Sequence, residues 1–588
     1  MLRALALSSI PLTARCALLL LSASFVACGG SGLRRYPLKA AVWQDPDARP
    51  FHAPCRPDPD EDDPGHVACT PEPYESPLAW DAIDNTVFRP FARVWAVDPG
   101  GEAANVNAFD EVPNSTWFEN RMLEGALGAA EVMRGSCEAD ALNDEGAAEG
   151  SWLIDQGKPH GATAGFRVNV PDRGRFMFKV DEEKVAQRSN TASVIGSRLY
   201  HAVGYHTPCE TIVELRPSVL KMKPGLTSSD NTGVERPFDQ AALEKILTKA
   251  QRIGDRVRLE ASQWLSGVPL GPFRYDGVRD DDPNDVVPHE DRRELRGARL
   301  LAAWINHFDS REQNTMATWV AMPGKPKDSS PGYIKHYYLD FSDSFGSEWA
   351  WDGLSRRLGH SYYLDFGHVA GDFITFGTIE RPWDRAVRRP PFGYFRAVDF
   401  DPEKWRAGYP NPAFSRMTER DGAWMARILA RFTPEHIKGL VRLAKINRAE
   451  DAAYLSRVLL ERHRRILRRY LGRLSPLANA RVEGRQLCMS DVARQSGVWP
   501  SSAFAYRATS TRLGRGAVGS AVRALPDGRV CVTLEHDAAL ASAKAGAEQR
   551  YLIVSVWNGK APGPLAAHLY DLGPERGFAL VALVRPEG

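Results

Sequence analysis

The chain has 588 residues, 43% of them hydrophobic and 25% charged, and a formal net charge of +2 at neutral pH. Such a balance argues against nucleic-acid binding and against strong attraction to anionic surfaces, and the apolar fraction excludes a wholly disordered chain. The length suits two or three domains.

Residues 1–28 read as an export signal: Arg3 and Arg15 supply positive charge, and residues 16–27 (CALLLLSASFVA) form an apolar core too short to span a bilayer. The core ends in FVACGG, small residues just before Cys28, which resembles a bacterial lipobox. That resemblance implies cleavage before Cys28, lipid on its thiol and amine, and a cell-envelope protein held on a leash. Gly29 after the lipidated residue would suit sorting to the outer membrane of a Gram-negative bacterium. An ordinary secretory signal cleaved nearby is the alternative. No later stretch is long and apolar enough to cross a membrane.

Six cysteines follow Cys28, an even set in an exported chain, so disulfides are expected. Cys55 and Cys69 bracket a Pro/Asp-rich loop and make the first pair, Cys488 and Cys531 would close a C-terminal module, and Cys137 with Cys209 is what is left. None has zinc-finger spacing.

Residues 28–75 read as a lipid-tethered linker, Pro-rich and acidic. A β-rich N-terminal lobe is expected over 76–220. There SWLID, GFRVNV and RFMFKV are short β-forming runs separated by turn chemistry. A helix capped by Ser189 or Asn190 follows, and then the strand ETIVEL. Residues 221–476 read as a mostly helical lobe. It holds FDQAALEKILTKA, then an extended RVRLEASQWL, then the helix RELRGARLLAAWINH, and a helical stretch from 420 to 474 with a start signal at Thr433 and Pro434. Residues 485–588 read as a small all-β module, a sandwich by its turn-separated strands. The fold class is therefore α+β: a two-lobed body, β-rich then helical, followed by a β module. One echo, YYLDF at 337–341 and again at 362–366, is too short to make a repeat architecture.

The candidate chemistry rests on a spacing. Asp309 and Asn314 stand in INHFDSREQNT, and Asp340 in HYYLDFSDSFGS. Phosphoryl transfer needs an acid that orients the acceptor hydroxyl, an Asn and a second acid that hold magnesium, and a lysine on the nucleotide phosphates. Lys179 lies in the apolar strand RFMFKV, where a buried ammonium is costly unless it meets an anion. Gly157, Gly161 and Gly165 lie between two strands, where glycine permits close backbone approach to phosphates. Asn314 enters and Asp340 leaves a strand–hairpin–strand unit, which places both at one end of a two-stranded ribbon with Asp309 beside it. Asp343 could add a ligand, and Asp365 in YYLDFGHVAG is the rival to Asp340. Each residue also has a bland reading: an outward lysine, a glycine-rich loop, a helix-ending turn in which Asp309 and Asn314 cap backbone.

These segments resemble the catalytic stretch of atypical kinases, nearest to the CotH-type spore-coat kinases and similar to HipA-type and phosphoinositide kinases at the same points. They also resemble an uncharacterised family of exported bacterial proteins, through residues 292–296, 306–309 and 336–342. The first resemblance implies a two-lobed kinase-like fold using ATP and Mg²⁺. In it Lys179 would grip phosphates, Asp309 would orient the acceptor, and Asn314 and Asp340 would hold metal. The chain departs from the kinase pattern in one place: the strand lysine should pair with a glutamate on the next helix, yet residues 185–209 contain no acid, and only Glu182 and Glu183 are near.

The acidic run 280–285 with His289 and Glu290 could suit calcium, but it lacks an EF-hand's Gly and distal Glu and reads as a capped turn. His289, Glu290 and His307 lack a zinc-binding helical spacing. The expectation is thus an envelope lipoprotein with a phosphotransferase domain acting on an envelope protein or glycan. The alternative is a non-catalytic relative that binds such a partner, and a third reading makes the β module a carbohydrate binder.

Overall fold

The computed structural model describes residues 35–57, 66–95, 101–122, 125–138, 142–158, 164–181, 187–229, 234–348, 351–512, 514–538, 546 and 549–587. Cys28, Gly161, Glu182 and Glu183, named above, lie outside them. The fold is mixed α+β with several separate sheets.

The β-forming runs become strands β1 (Trp152–Gly157), β2 (Gly165–Val170) and β3 (Gly174–Lys179), an antiparallel meander. Helix α1 (Arg188–Val203) follows, then β4 (Glu210–Leu215), β5 (Leu220–Met222), helix α2 (Gln240–Leu247) and the hairpin β6 (Gln251–Ile253) and β7 (Arg256–Gln263). β7 lies against β3 on one side and β4 on the other, and β5 runs parallel to β1 at the far edge. Alternation drives the assembly: Ile154, Phe166, Val168, Phe176, Phe178 and Leu259 share one buried cluster, which α2 covers with Leu243 and Leu247.

Ser189 and Asn190 do not cap α1; both lie inside it. The residue at its start, Gln187, has φ 74° and makes no side-chain cap. Asp181 does the work instead, its Oδ1 accepting from the Asn190 main-chain N–H at 2.9 Å while its Oδ2 meets Arg258 at 2.8 Å. A carboxyl from just past the end of β3, itself held by Arg258, satisfies the orphan donor in place of a local hydroxyl.

Helix α3 (Arg293–Ile305) ends at Asn306, whose φ of 57° suits an asparagine C-cap. Strands β8 (Val268–Pro269), β9 (Thr315–Ala321) and β10 (Gly332–Tyr338) form a small antiparallel sheet. Against α3 pack α4 (Glu419–Leu429) and α6 (Ala449–Leu471), while α5 (Pro434–Leu443) packs on α6 and α1. Thr433 caps α5 as expected, accepting from the His436 N–H at 3.3 Å. Trp304 is fully buried in this core and donates its indole N–H to the Leu459 carbonyl at 2.8 Å.

The arginines of residues 292–296 are structural. Arg293 reaches Asp110 at 2.6 Å and Asp421 at 3.1 Å, Arg296 reaches Asp291 at 2.6 Å, and Arg292 reaches Asp285 at 3.2 Å. Asp285 also meets His289 Nε2 at 2.7 Å, so the last acid of the run 280–285 serves the helix entry, while Asp281 pairs with Arg279 at 2.7 Å and Asp282 accepts from the Asn284 N–H at 2.9 Å. The described part of the run read as linker lies along the body: Asp47 accepts from Thr116 N–H at 2.9 Å, and Phe51 N–H bonds the Gly332 carbonyl.

All three expected disulfides are present, Cys55–Cys69, Cys137–Cys209 and Cys488–Cys531. Strands from Leu477 onward build two sheets around one buried cluster. They are β11 (Leu477–Glu483), β12 (Gln486–Asp491), β13 (Arg507–Arg512), β14 (Val518–Ser520), β15 (Val522–Ala524), β16 (Arg529–Thr533), β17 (Tyr551–Trp557), β18 (Leu565–Asp571) and β19 (Phe578–Val584). Cys488 and Cys531 sit directly opposite one another on β12 and β16. Among the described residues no helix is long and apolar enough to cross a membrane. The YYLDF echo is not a structural repeat: the first copy ends β10, while the second leads into the helix Phe366–Ile374.

Candidate functional site

The site forms where β3 meets the end of the β9–β10 ribbon. Thr315 pairs with Tyr338, and the Leu339 N–H bonds the Asn314 carbonyl at 2.9 Å, so Asn314 and Asp340 flank one end of the ribbon as their spacing suggested. Asp340 takes a φ of 46° there. Phe341, fully buried, seats against α1 where Gly196 leaves room; a Cβ on Gly196 would come within 2.6 Å of the Phe341 ring carbon Cγ. Arg188, the first residue of α1, donates to the carbonyls of Ser342 and Ser344 at 3.3 and 3.2 Å and fixes the loop after Asp340.

Lys179 Nζ lies 3.6 Å from Asp340 Oδ1 and 3.4 Å from Glu260 Oε1. Glu260 is the residue directly across from Lys179 on β7. The acid that the next helix lacks therefore comes from the next strand in the sheet. Glu210, on β4 and fully buried, is a third carboxyl in the electrostatic field of Lys179. Burial alone would push the Lys179 ammonium down; Asp340 and Glu260 outweigh it and hold its pKa above the ordinary lysine value. Burial would likewise raise Asp340, but Lys179 and Lys158 hold its carboxyl well below the usual range. Glu210 is pushed well above it by burial and by Glu260. The pair is thus charged lysine with ionised Asp340, beside a carboxyl whose protonated form burial favours.

Lys158 begins the β1–β2 loop and shares this field. Burial, and then Lys179, pull its pKa down to about 8. The glycines beside it serve the sheet: a Cβ on Gly157 would come within 2.6 Å of Ser228 Cβ, and one on Gly165 within 2.3 Å of the Phe178 carbonyl oxygen.

Asp309 and Asn314 are joined. The Asn314 amide donates to the Asp309 carbonyl at 2.7 Å and to Asp309 Oδ2 at 2.9 Å, which leaves its amide oxygen as the donor atom for a cation. Arg311 Nε lies 3.0 Å from Asp309 Oδ1. Asp309 is buried, and burial pushes its carboxyl up to about 7 against the pull of Arg311, with Asp343 adding to the rise. His307, buried beside the Asp340 main chain, is held neutral by burial, down to about 4.

The turn is braced from the helical residues 78–95 by Asp81 and Arg89. Asp81 Oδ2 meets Arg311 at 3.3 Å, and Arg89 meets Glu312 at 2.8 Å. Asp365, the rival to Asp340, caps the helix Phe366–Ile374, accepting from the His368 N–H at 3.2 Å.

Asp340, with Asn314, and with Asp343 in the same field, are the residues suited to a magnesium ion, which takes one or two protein carboxylates together with substrate oxygens. Among the described residues, no three His, Cys, Asp or Glu side chains lie close enough to hold a metal by themselves. The sequence reading missed Glu260 and Lys158. The available signal for Glu260 was a charged residue inside the alternation of RVRLEAS, next to an equally inward Arg258.

No family model matches this chain. No curated protein and no solved structure matches it either.

The raised Asp309 pKa has a consequence for stability. Its folded-state value lies above the unfolded one, so its contribution is full below about pH 4 and is lost as pH rises to about 7. Asp309→Asn removes this dependence. The variant will gain stability over the wild type between about pH 5 and about pH 8, read as the difference in urea-unfolding free energy at the two pH values. An equal difference at both would contradict it.

Proposed function

We propose that this chain is an envelope lipoprotein, anchored through Cys28, whose body is an atypical kinase-like phosphotransferase acting on an envelope protein or glycan. The observation that carries the reading is Lys179, paired to Glu260 across the sheet and to Asp340 at the end of the ribbon. Kinases place such a lysine on the third strand, beneath a loop joining the first two, and tie it to a glutamate and to a metal-binding Asp. Lys179 is on β3, the loop between β1 and β2 carries Lys158, and the Asp309–Asn314 couple lies beside Asp340. The β-rich sheet and the α3–α6 helices would be the two lobes. The disulfides fit an exported protein.

Bound Mg²⁺·ATP would supply the transferable phosphoryl group and the cation that neutralises its charge. Lys179, held cationic, binds phosphate oxygens. Asp340, held ionised, and Asn314 offer oxygen atoms to the cation. Asp309, pushed up to about 7, accepts the proton of the acceptor hydroxyl near neutral pH, where a general base works best.

The test is transfer of label from γ-³²P-ATP, with Mg²⁺ or Mn²⁺, to an envelope extract by residues 29–588. Label in Asp309→Asn will fall by about 10²–10⁴-fold, the usual contribution of a positioned base. Equal label in the variant would contradict the assignment of Asp309. The second reading, a non-catalytic binder, draws on the Lys179–Glu260 contact itself, since a cross-strand pair also stabilises a sheet without chemistry. Wild-type protein that binds nucleotide but transfers no label would favour it.

A further inference from the structure

We propose that a cavity on the helical side of the molecule, about 1290 Å³ in volume, binds an acidic oligosaccharide chain. Small-molecule pockets typically span roughly 300–1,000 Å³, so this one has room for several linked units. Eight arginines and Lys404 line it, against the four carboxylates Asp399, Asp401, Glu403 and Glu419; Asp372, Asp365 and Glu461, outside the lining, pair with Arg381, Arg406 and Arg465, and the balance is still cationic. A wall with that excess of cations attracts anions into a confined volume.

The inner wall carries a second, independent sign. Arg462 is 5% exposed, and its guanidinium donates to the carbonyls of Trp304 at 2.9 Å, Arg396 at 2.9 Å and Ala303 at 2.6 Å. Arg299 likewise donates to the carbonyls of Pro402, Glu403 and Trp405 at 3.3, 2.7 and 2.9 Å. Neither forms a contact ion pair among the described residues. The buried Arg462 charge is answered through space by Asp399, and the half-buried Arg299 feels Glu403 in the same way, but neither cation has a carboxylate in contact. An anion in the cavity would supply that contact.

The rim favours a sugar over a peptide. The Arg406 guanidinium lies 4.9 Å from the Tyr362 ring centre, and the Arg381 guanidinium 5.8 Å from that of Trp383. Both rings are half-buried at the cavity wall. Rings alternating with planar guanidiniums match a uronic or phosphorylated sugar, which presents an apolar C–H face beside a carboxylate or phosphate. An acidic peptide would use the charges and leave the rings idle. Asn306 and Tyr409 line the inner end, and Tyr409 packs under Arg311 beside Asp309, so the chain would run toward that turn. The assignment does not depend on phosphate transfer.

Calorimetry of the whole protein without nucleotide tests it, with oligogalacturonate as the probe and maltooligosaccharide and oligoglutamate of equal length beside it. Oligogalacturonate will bind saturably at one site, and each of the other two at least about tenfold more weakly, the scale of one charge-assisted hydrogen bond. Arg406→Glu/Arg468→Glu, both at exposed positions of the cavity, will weaken oligogalacturonate by about tenfold or more, while Arg485→Glu on the distant β11–β12 turn will not. Oligoglutamate binding as well as oligogalacturonate would overturn the saccharide assignment in favour of an acidic peptide. Maltooligosaccharide binding as well, no binding of oligogalacturonate, or full affinity in the double variant would overturn the anion site.

Discussion

Lys179→Met will lower phosphate transfer by about 10²–10³-fold, the cost of removing one preorganised electrostatic group from a reacting centre. It will also destabilise the fold by about 3–5 kcal/mol, because it leaves the buried Glu260 carboxyl without the cation it contacts. The two effects separate in the double variant. Glu260 is 1% exposed and directly opposite Lys179, so adding Glu260→Gln removes the orphaned acid and returns part of the stability. On the proposed reading transfer stays lost, because the lysine assigned to the phosphates is gone. Urea unfolding and the labelling assay on the two variants check this. Transfer restored together with stability would mean that Lys179 acts only through the fold.

The second large effect lies far from the chemistry. Asp110, buried, is shared by three arginines: Arg293 at 2.6 Å on α3, Arg585 at 2.6 Å after β19, and Arg427 at 3.6 Å on α4. One carboxylate thereby ties the C-terminal sandwich to the helical core. Asp110→Ala will cost about 3–5 kcal/mol, since it strands the buried Arg585 cation and takes one of two acidic partners from Arg293 and Arg427. The pH dependence follows the same contacts. Burial would raise the Asp110 pKa, but the arginines, Arg293 foremost, hold it below the ordinary value. A depressed folded value gives stability that is complete above about pH 4 and is lost as pH falls further. Wild-type stability will therefore drop below about pH 4 in a way that Asp110→Ala does not. Parallel acid-unfolding curves for the two proteins would contradict the assignment.

Local order was readable from the residues. The period-two runs around Phe176 and Phe178 and the Thr433–Pro434 start of α5 rest on short-range chemistry, and the structure holds both; the cysteine pairs, 14, 72 and 43 residues apart, followed instead from an even count and elimination. The ribbon that brings Asn314 beside Asp340 was also readable, because a hairpin fixes its own ends. What escaped depends on contacts between distant segments. Glu260 meets Lys179 only because β7 inserts between β3 and β4, and nothing in RVRLEAS reports its neighbour. Asp181 caps α1 from just past the end of β3, which no local hydroxyl pattern reveals. The arginines of residues 292–296 looked like a family signature, and their work is to bind Asp285 and Asp291 just ahead of the helix and Asp110 and Asp421 from distant segments. The cationic cavity gathers residues from 299 to 470 and has no linear trace.

The most direct measurement is thermal unfolding of residues 29–588 with ATP and Mg²⁺ or Mn²⁺, beside Asp340→Ala. A ligand at about a hundredfold its Kd adds about 2.7 kcal/mol to the folded state. The account predicts a metal-dependent rise in Tm for the wild type that disappears in the variant. A well-folded wild type unmoved by nucleotide and either metal would contradict the phosphotransferase assignment and leave the Lys179–Asp340–Glu260 cluster as part of a binding scaffold.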